Sequence, residues 1–182
     1  HPSAPNRQGV GTRDWIKGVL TLEDYQSAHY FGNTAFKEGT MAEALADYGD
    51  DLDEEAIAAM AAALSSEAKL PRQAEVDASD TEKIELGFAL MGEDEFACTD
   101  CHKIQGDGGK KGPDLTDYMS RQWLVDFIGN PAHPRFYGDD NDRMPNFLDA
   151  EGEDGEVVPG KLDEARVGLI VDWLRQEWPR SE

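Results

Sequence analysis

Three side chains able to do chemistry fall within five consecutive positions, Cys98-Thr99-Asp100-Cys101-His102. Cys98 and Cys101 are the only two cysteines in the chain. Two residues between the thiols let both sulfurs sit on one helical turn, and the next residue sets an imidazole beside them. C-x-x-C-H is the attachment signature of c-type haem. In that chemistry the sulfurs bond two vinyl groups on one edge of a porphyrin, and the imidazole lies under the iron. Three other uses of paired thiols compete with it. A disulfide across two residues closes a very small loop and stabilises little. A thioredoxin-like redox pair needs a preceding strand in a βαβ setting, whereas the residues before Cys98 read as helix. Zinc takes four ligands, and neither a second Cys pair nor a His pair is present in the sequence to complete the set.

The elements that must position this turn are legible on both sides of it. Upstream, Ser79-Asp80-Thr81-Glu82 reads as a capping box with Ser79 as N-cap. The helix it opens carries Ile84, Gly87, Phe88 and Met91 on one face. Gly87 costs a helix about 1 kcal/mol against Ala, which points to close approach by another helix. Downstream come a Gly-rich loop, Gly106 to Gly112, and then Gly112-Pro113-Asp114-Leu115. An amphipathic helix near Ser120 to Ile128 carries Trp123, Leu124, Phe127 and Ile128. A loop with Pro131, Pro134 and Phe136-Tyr137-Gly138 leads to Arg143-Met144-Pro145-Asn146-Phe147. The last helix is expected from about Asp163 to Trp178, burying Val167, Ile170, Val171, Leu174 and Trp178. Leu162 and Val167 stand as a hydrophobic staple around an Asp163 N-cap.

With these residues in order, the stretch from about 80 to 182 resembles a class I cytochrome c domain: a helix with Gly87-Phe88, CxxCH, Gly-Pro-x-Leu, a Met-Pro pair and a C-terminal helix. The resemblance implies an all-α fold around one covalent haem c held through Cys98 and Cys101. It implies His102 and Met144 as axial ligands, with the Pro113 carbonyl accepting a hydrogen bond from the His102 ring and so fixing its tautomer. Leu115 belongs to the same haem-binding set. Tyr118, Arg121 and Trp123 stand where residues of the family bond haem propionates; Trp123 as core and Arg121 as a solvated charge are the plainer readings. Met119, Met91 and His133 are the other candidate ligands. Met119 lacks the Met-Pro setting, Met91 precedes the motif, and His133 between two prolines would give bis-His ligation. The Gly87 helix is expected to cross the last helix near Trp173.

Residues 1–70 lack cysteine yet repeat the later pattern. Thr12-Arg13-Asp14-Trp15-Ile16 parallels Ser120-Arg121-Gln122-Trp123-Leu124, and Tyr30-Phe31-Gly32 parallels Phe136-Tyr137-Gly138. Met41 follows as Met144 does. Leu52-Asp53-Glu54 parallels Leu162-Asp163-Glu164, and Ile57, Met60, Ala61 and Leu64 fall in the frame of Val167, Ile170, Val171 and Leu174. Ala4-Pro5-Asn6 sits where Gly112-Pro113-Asp114 would. The expected organisation is therefore a partial cytochrome c-like repeat over 1–70, a linker over 71–79 and a haem-binding domain over 80–182. Either a haem-binding segment preceded His1 or the repeat is a haemless module; one haem in the chain is the expectation. Tandem domains of this kind resemble dihaem cytochromes c, and modules of quinol-oxidising respiratory complexes.

The net charge of −21, from 38 acids against 17 bases, excludes whole classes of partner. Phosphates would be repelled rather than neutralised, which argues against nucleic acid and against anionic membrane surfaces. No apolar run approaches the roughly 20 residues of a membrane span. The function implied is one-electron transfer by an iron whose axial positions are both filled, with no enzymatic role of its own. A thioether ligand raises the potential relative to bis-His ligation. The alternatives are a haem enzyme of the peroxidase type, which needs an open distal side, and a haem-bearing interaction module. Acids crowd residues 75–100 and 139–156, consistent with a solvated surface or with steering of a basic redox partner. Covalent haem attachment, as the family carries it out, implies a periplasmic or outward-facing location.

Overall fold

Thr12 starts the first helix by accepting the Trp15 amide on its side chain, at 3.2 Å, which satisfies one of the four unpaired N–H groups of a helix start. The helix, α1 (Arg13–Leu20), then buries Trp15, Ile16, Gly18 and Leu20. In the computed structural model, which describes residues 4–92, 94–141, 143–151 and 155–177, the chain is mostly helical, with 52% helix and 4% strand, so the all-α expectation holds. Two compact units divide it, residues 1–97 and 98–182.

In the first unit α1 packs against α4 (Glu54–Glu67). Asp53 caps α4 by accepting the Ala56 amide at 2.8 Å. Every residue from Ala59 to Ser65 is buried, because α1 and a second helix both lie against this one. Its alanines make that double packing possible, since they let neighbouring backbones come close. The buried Ser65 hydroxyl donates to Gly11 O at 2.7 Å, so its burial is compensated. Two further helices, α2 (Leu22–Tyr25) and α3 (Thr40–Tyr48), close a satellite core of Tyr25, Ala42 and Leu45, with Val19, Leu22, Phe31, Met41 and Leu52 against it. Met41, the counterpart of Met144 in the repeat, is thus a packing residue of this cluster.

The stretch expected as a linker is structured: a 3-10 turn at Pro71–Gln73 runs into α5 (Ala74–Ser79). The expected capping box does not form. Ser79 is the last residue of α5 and its hydroxyl returns to Val76 O. Asp80 is the N-cap of α6 (Thr81–Leu90) but gives no cap hydrogen bond. Arg13 takes the Asp80 carboxylate and pairs with Asp77 at 2.7 Å, a stronger competitor for the charge than an amide. Gly87 also differs from expectation in its partner. An added Cβ there would fall 2.1 Å from the Ala59 carbonyl oxygen and 2.8 Å from Ala63 Cβ. The close approach read from the glycine is real, but the helix it crosses is α4, within the first unit.

In the second unit β1 (Lys103–Ile104) and β2 (Asp107–Gly108) form an antiparallel hairpin. Both of its turn residues have positive φ, 50° at Gln105 and 90° at Gly106, as a type I′ turn requires. α7 (Arg121–Gly129) is capped by Ser120, which accepts the Trp123 amide. Trp123, Leu124, Phe127 and Ile128 are buried, and Trp123, Phe127 and Phe136 stack or meet edge to face within 5.4 Å. A second hairpin pairs β3 (Ala150–Glu151) with β4 (Val157–Val158). The last helix, α8 (Glu164–Arg175), is capped by Asp163 through the Arg166 amide at 2.8 Å and packs on α7. Val167, Val171 and Leu174 are buried as expected. Ile170 is 38% exposed, because the turns facing α7 bury Gly168 and Arg175 instead. Trp178 lies outside the described residues, as does His1.

The repeat read from sequence reappears as matched hydrogen bonds in the two units. The Trp15 indole donates to Asn6 O at 3.1 Å, and the Trp123 indole to Asp114 O at 2.9 Å. The Asn6 amide donates to His29 O, and the Asp114 amide to Arg135 O, both at 2.8 Å. Gln8 N reaches the Asn6 side chain as Thr116 N reaches that of Asp114. Such bonds contribute about 1 kcal/mol each, and the two stretches make them at corresponding positions.

Candidate functional site

Cys98, Cys101 and His102 form one tight turn that opens the second unit. The amides of Cys101 and His102 both donate to Cys98 O, at 3.3 and 2.9 Å. Neither cysteine is in a disulfide. The Gly-rich loop then folds back over the turn. Gly109 N donates to Thr99 O at 2.7 Å, and the amides of Lys111 and Gly112 both reach Cys101 O. This backbone wrap brings Pro113 to the histidine ring.

His102 Nδ1 lies 2.8 Å from the Pro113 carbonyl oxygen. A carbonyl only accepts, so Nδ1 carries the proton and the lone pair is on Nε2. Gly112 sits against the ring face, where an added Cβ would fall 2.5 Å from Cε1, so only glycine leaves the imidazole its place. Burial lowers the His102 pKa, with the bond to Pro113 opposing. Burial also pushes the Cys98 thiol up to about 11. The Thr99 hydroxyl between the cysteines is buried and has no hydrogen-bond partner.

The strap after the ring uses each of its main-chain polar groups. Pro113 O accepts from His102, the Asp114 amide donates to Arg135 O, Asp114 O accepts the Trp123 indole, and the Leu115 amide donates to Lys103 O at 2.7 Å. Leu115 is buried beneath it. Cys98, Cys101, His102, Pro113, Leu115 and Trp123 are therefore brought together, with the Tyr118 ring 5.2 Å from that of Trp123. Among the described residues, no hydrogen bond or ion pair joins Arg121 or Met144 to this group. Arg121 is exposed and pairs with Asp172 of α8 at 3.1 Å. The Trp123 N–H donates to Asp114 O. Met144 is half-buried in the loop between α7 and β3, with its carbonyl held by Asn141 at 2.9 Å.

The other candidate ligands are Met119, Met91 and His133. Met119 is 1% exposed and its carbonyl accepts from Arg175 at 2.7 Å. Met91 is buried in the first unit. His133 is exposed and its Nδ1 accepts the Arg135 amide. Sequence reasoning missed Asp114 and Arg135. The signal was a lone Arg in the Pro-rich loop, set against the repeat, where His29 takes its place. Among the described residues no group of three or more His, Cys, Asp or Glu side chains could hold a metal ion. Two thiols outside any disulfide on one turn, beside an imidazole whose Nδ1–H is held by Pro113 O, are a donor set that fits a covalently attached haem c. The chain matches no family model, no curated protein and no solved structure.

Proposed function

We propose that the chain is a one-electron carrier of the class I cytochrome c type, with one haem c attached through Cys98 and Cys101 and His102 as an axial ligand. The observation that carries this reading is the His102–Pro113 hydrogen bond beside two unpaired thiols. It orients a neutral ring before any metal arrives, and a committed Nδ1–H leaves Nε2 as the donor. Met144, in the Met-Pro setting, is the proposed second ligand. Bound haem supplies the reversible Fe(II)/Fe(III) couple. The chain's own residues fix its environment. Pro113 holds the tautomer and strengthens the ligand's basicity. Leu115 and the aromatic group around Trp123 keep water away, and so favour the less charged, reduced state. The acidic surface presents the docking face for a basic redox partner, with the protein placed outside the bacterial cytoplasm.

A Met144→Ala variant tests the second ligand. Oxidised wild-type protein is expected to show the weak far-red charge-transfer band of thioether-ligated ferric haem, and the variant to lose it and bind cyanide rapidly. Survival of the band in the variant would exclude Met144. Rapid cyanide binding by wild-type protein would favour an enzyme with an open iron over a carrier.

A further inference from the structure

We propose that Arg135 is the positioning residue of the His102 site. It acts through the Pro113–Asp114 strap and is held for that purpose by a charge network which the first unit lacks. Arg135 grips the strap from both its main chain and its side chain. Its carbonyl accepts the Asp114 amide at 2.8 Å. Its guanidinium lies 3.8 Å from the Asp114 carboxylate and 3.5 Å from that of Asp126, and Nη2 donates to Thr116 O at 3.0 Å. The group is half-buried over the Phe136 ring, 5.7 Å from its centroid. Its Nε is buried and has no hydrogen-bond partner; the nearby carboxylate compensates that charge.

The first unit supplies an internal control. It makes the same indole-to-carbonyl bond and the same amide-to-carbonyl bond, and builds the same turn on Asn6. Yet the positions of Asp114, Asp126 and Arg135 are taken there by Asn6, Gly18 and His29. The module therefore folds without the three charges. They appear in the copy that has a cysteine–histidine turn, one peptide unit away from the carbonyl that holds the ring. Partly buried ion pairs are screened little, so the network keeps Asp114, and with it the Pro113 carbonyl, in one orientation. The functional meaning rests on His102 being an iron ligand; the geometry does not.

Hydrogen exchange of the His102 Nδ1–H, followed by nitrogen-edited NMR on the protein as isolated, reads this directly. Arg135→His, which installs the first unit's residue, is expected to speed that exchange at least tenfold while α7 amides and the Trp15 indole keep wild-type rates. Arg135→Lys, which keeps the charge, is expected to restore at least half of the effect on a logarithmic scale. Exchange within twofold of wild type in Arg135→His overturns the assignment. So does equal acceleration of the α7 amides, which would make Arg135 a general stabiliser of the unit, and so does a lysine variant no better than histidine. Failure of the haem reading shows separately, in the mass of the protein, and leaves the exchange measurement interpretable.

Discussion

One ring nitrogen of His102 is committed, and the commitment is a single carbonyl, that of Pro113. The cysteines are set differently. A thiol raised from 9.0 to about 11 has roughly a hundredth of the thiolate fraction of an ordinary one at pH 8. In protein produced without haem, Cys98 should therefore react slowly with iodoacetamide at pH 8. Its rate should keep rising towards pH 11, because the thiolate is the form that attacks and burial opposes its formation. A rate plateau near pH 9 would contradict that burial. The cysteine pair and the histidine were legible from residue type and spacing, and Pro113 only through the family resemblance those residues carry. Arg135 and Asp114 were not, because their partnership joins two loops and only the comparison with His29 and Asn6 marks them. The Trp123 indole bonds Asp114 O, a partner the sequence does not name, since a hydrogen-bond donor on an apolar side chain gives no hint of which carbonyl it finds.

At the scale of elements, capping residues did much of the work. Thr12, Asp53, Ser120 and Asp163 each start a helix through a side-chain bond to an amide, and of these Asp163 was read as a cap in the sequence. Ser79 did not behave so, because Arg13 drew Asp80 into an ion pair and a short helix, α5, formed in front. Helix periodicity showed that α6 has a face but not which helix it covers. A glycine signals a close approach without naming the partner. Gly87→Ala places a methyl on the Ala59 carbonyl, and overpacking of this kind costs about 1–3 kcal/mol. Thermal unfolding of the variant is expected at a clearly lower temperature than wild type, whereas Glu85→Ala, at an exposed site of the same helix, should shift stability by no more than about 0.5 kcal/mol. A Gly87→Ala protein as stable as wild type would remove α4 as the crossing partner.

For the whole molecule, matched residues recur in one order in the two stretches, and corresponding hydrogen bonds hold them in each. The division of the chain at residue 97 was not legible, since the helix before the cysteines reads equally well as part of either unit. Among the described residues no helix is long and apolar enough to cross a membrane, and the charge of −21 is the dominant property of the surface. If acids steer a basic redox partner, the bimolecular electron-transfer rate falls as salt rises. Screening beyond about 8 Å is already strong at physiological ionic strength. Stopped-flow rates with a basic partner protein should drop steeply between low and physiological salt, and rates with an acidic partner should rise. Rates indifferent to salt would reduce the charge to a solvating role.

The most direct test is the mass of the chain after acid–acetone extraction, on protein matured outside the bacterial cytoplasm. Haem bonded to Cys98 and Cys101 survives that treatment, so the expected result is the polypeptide plus one haem, lost in a Cys98→Ala, Cys101→Ala double variant. A polypeptide mass with no adduct, or with two hydrogens fewer from a disulfide, would contradict the account.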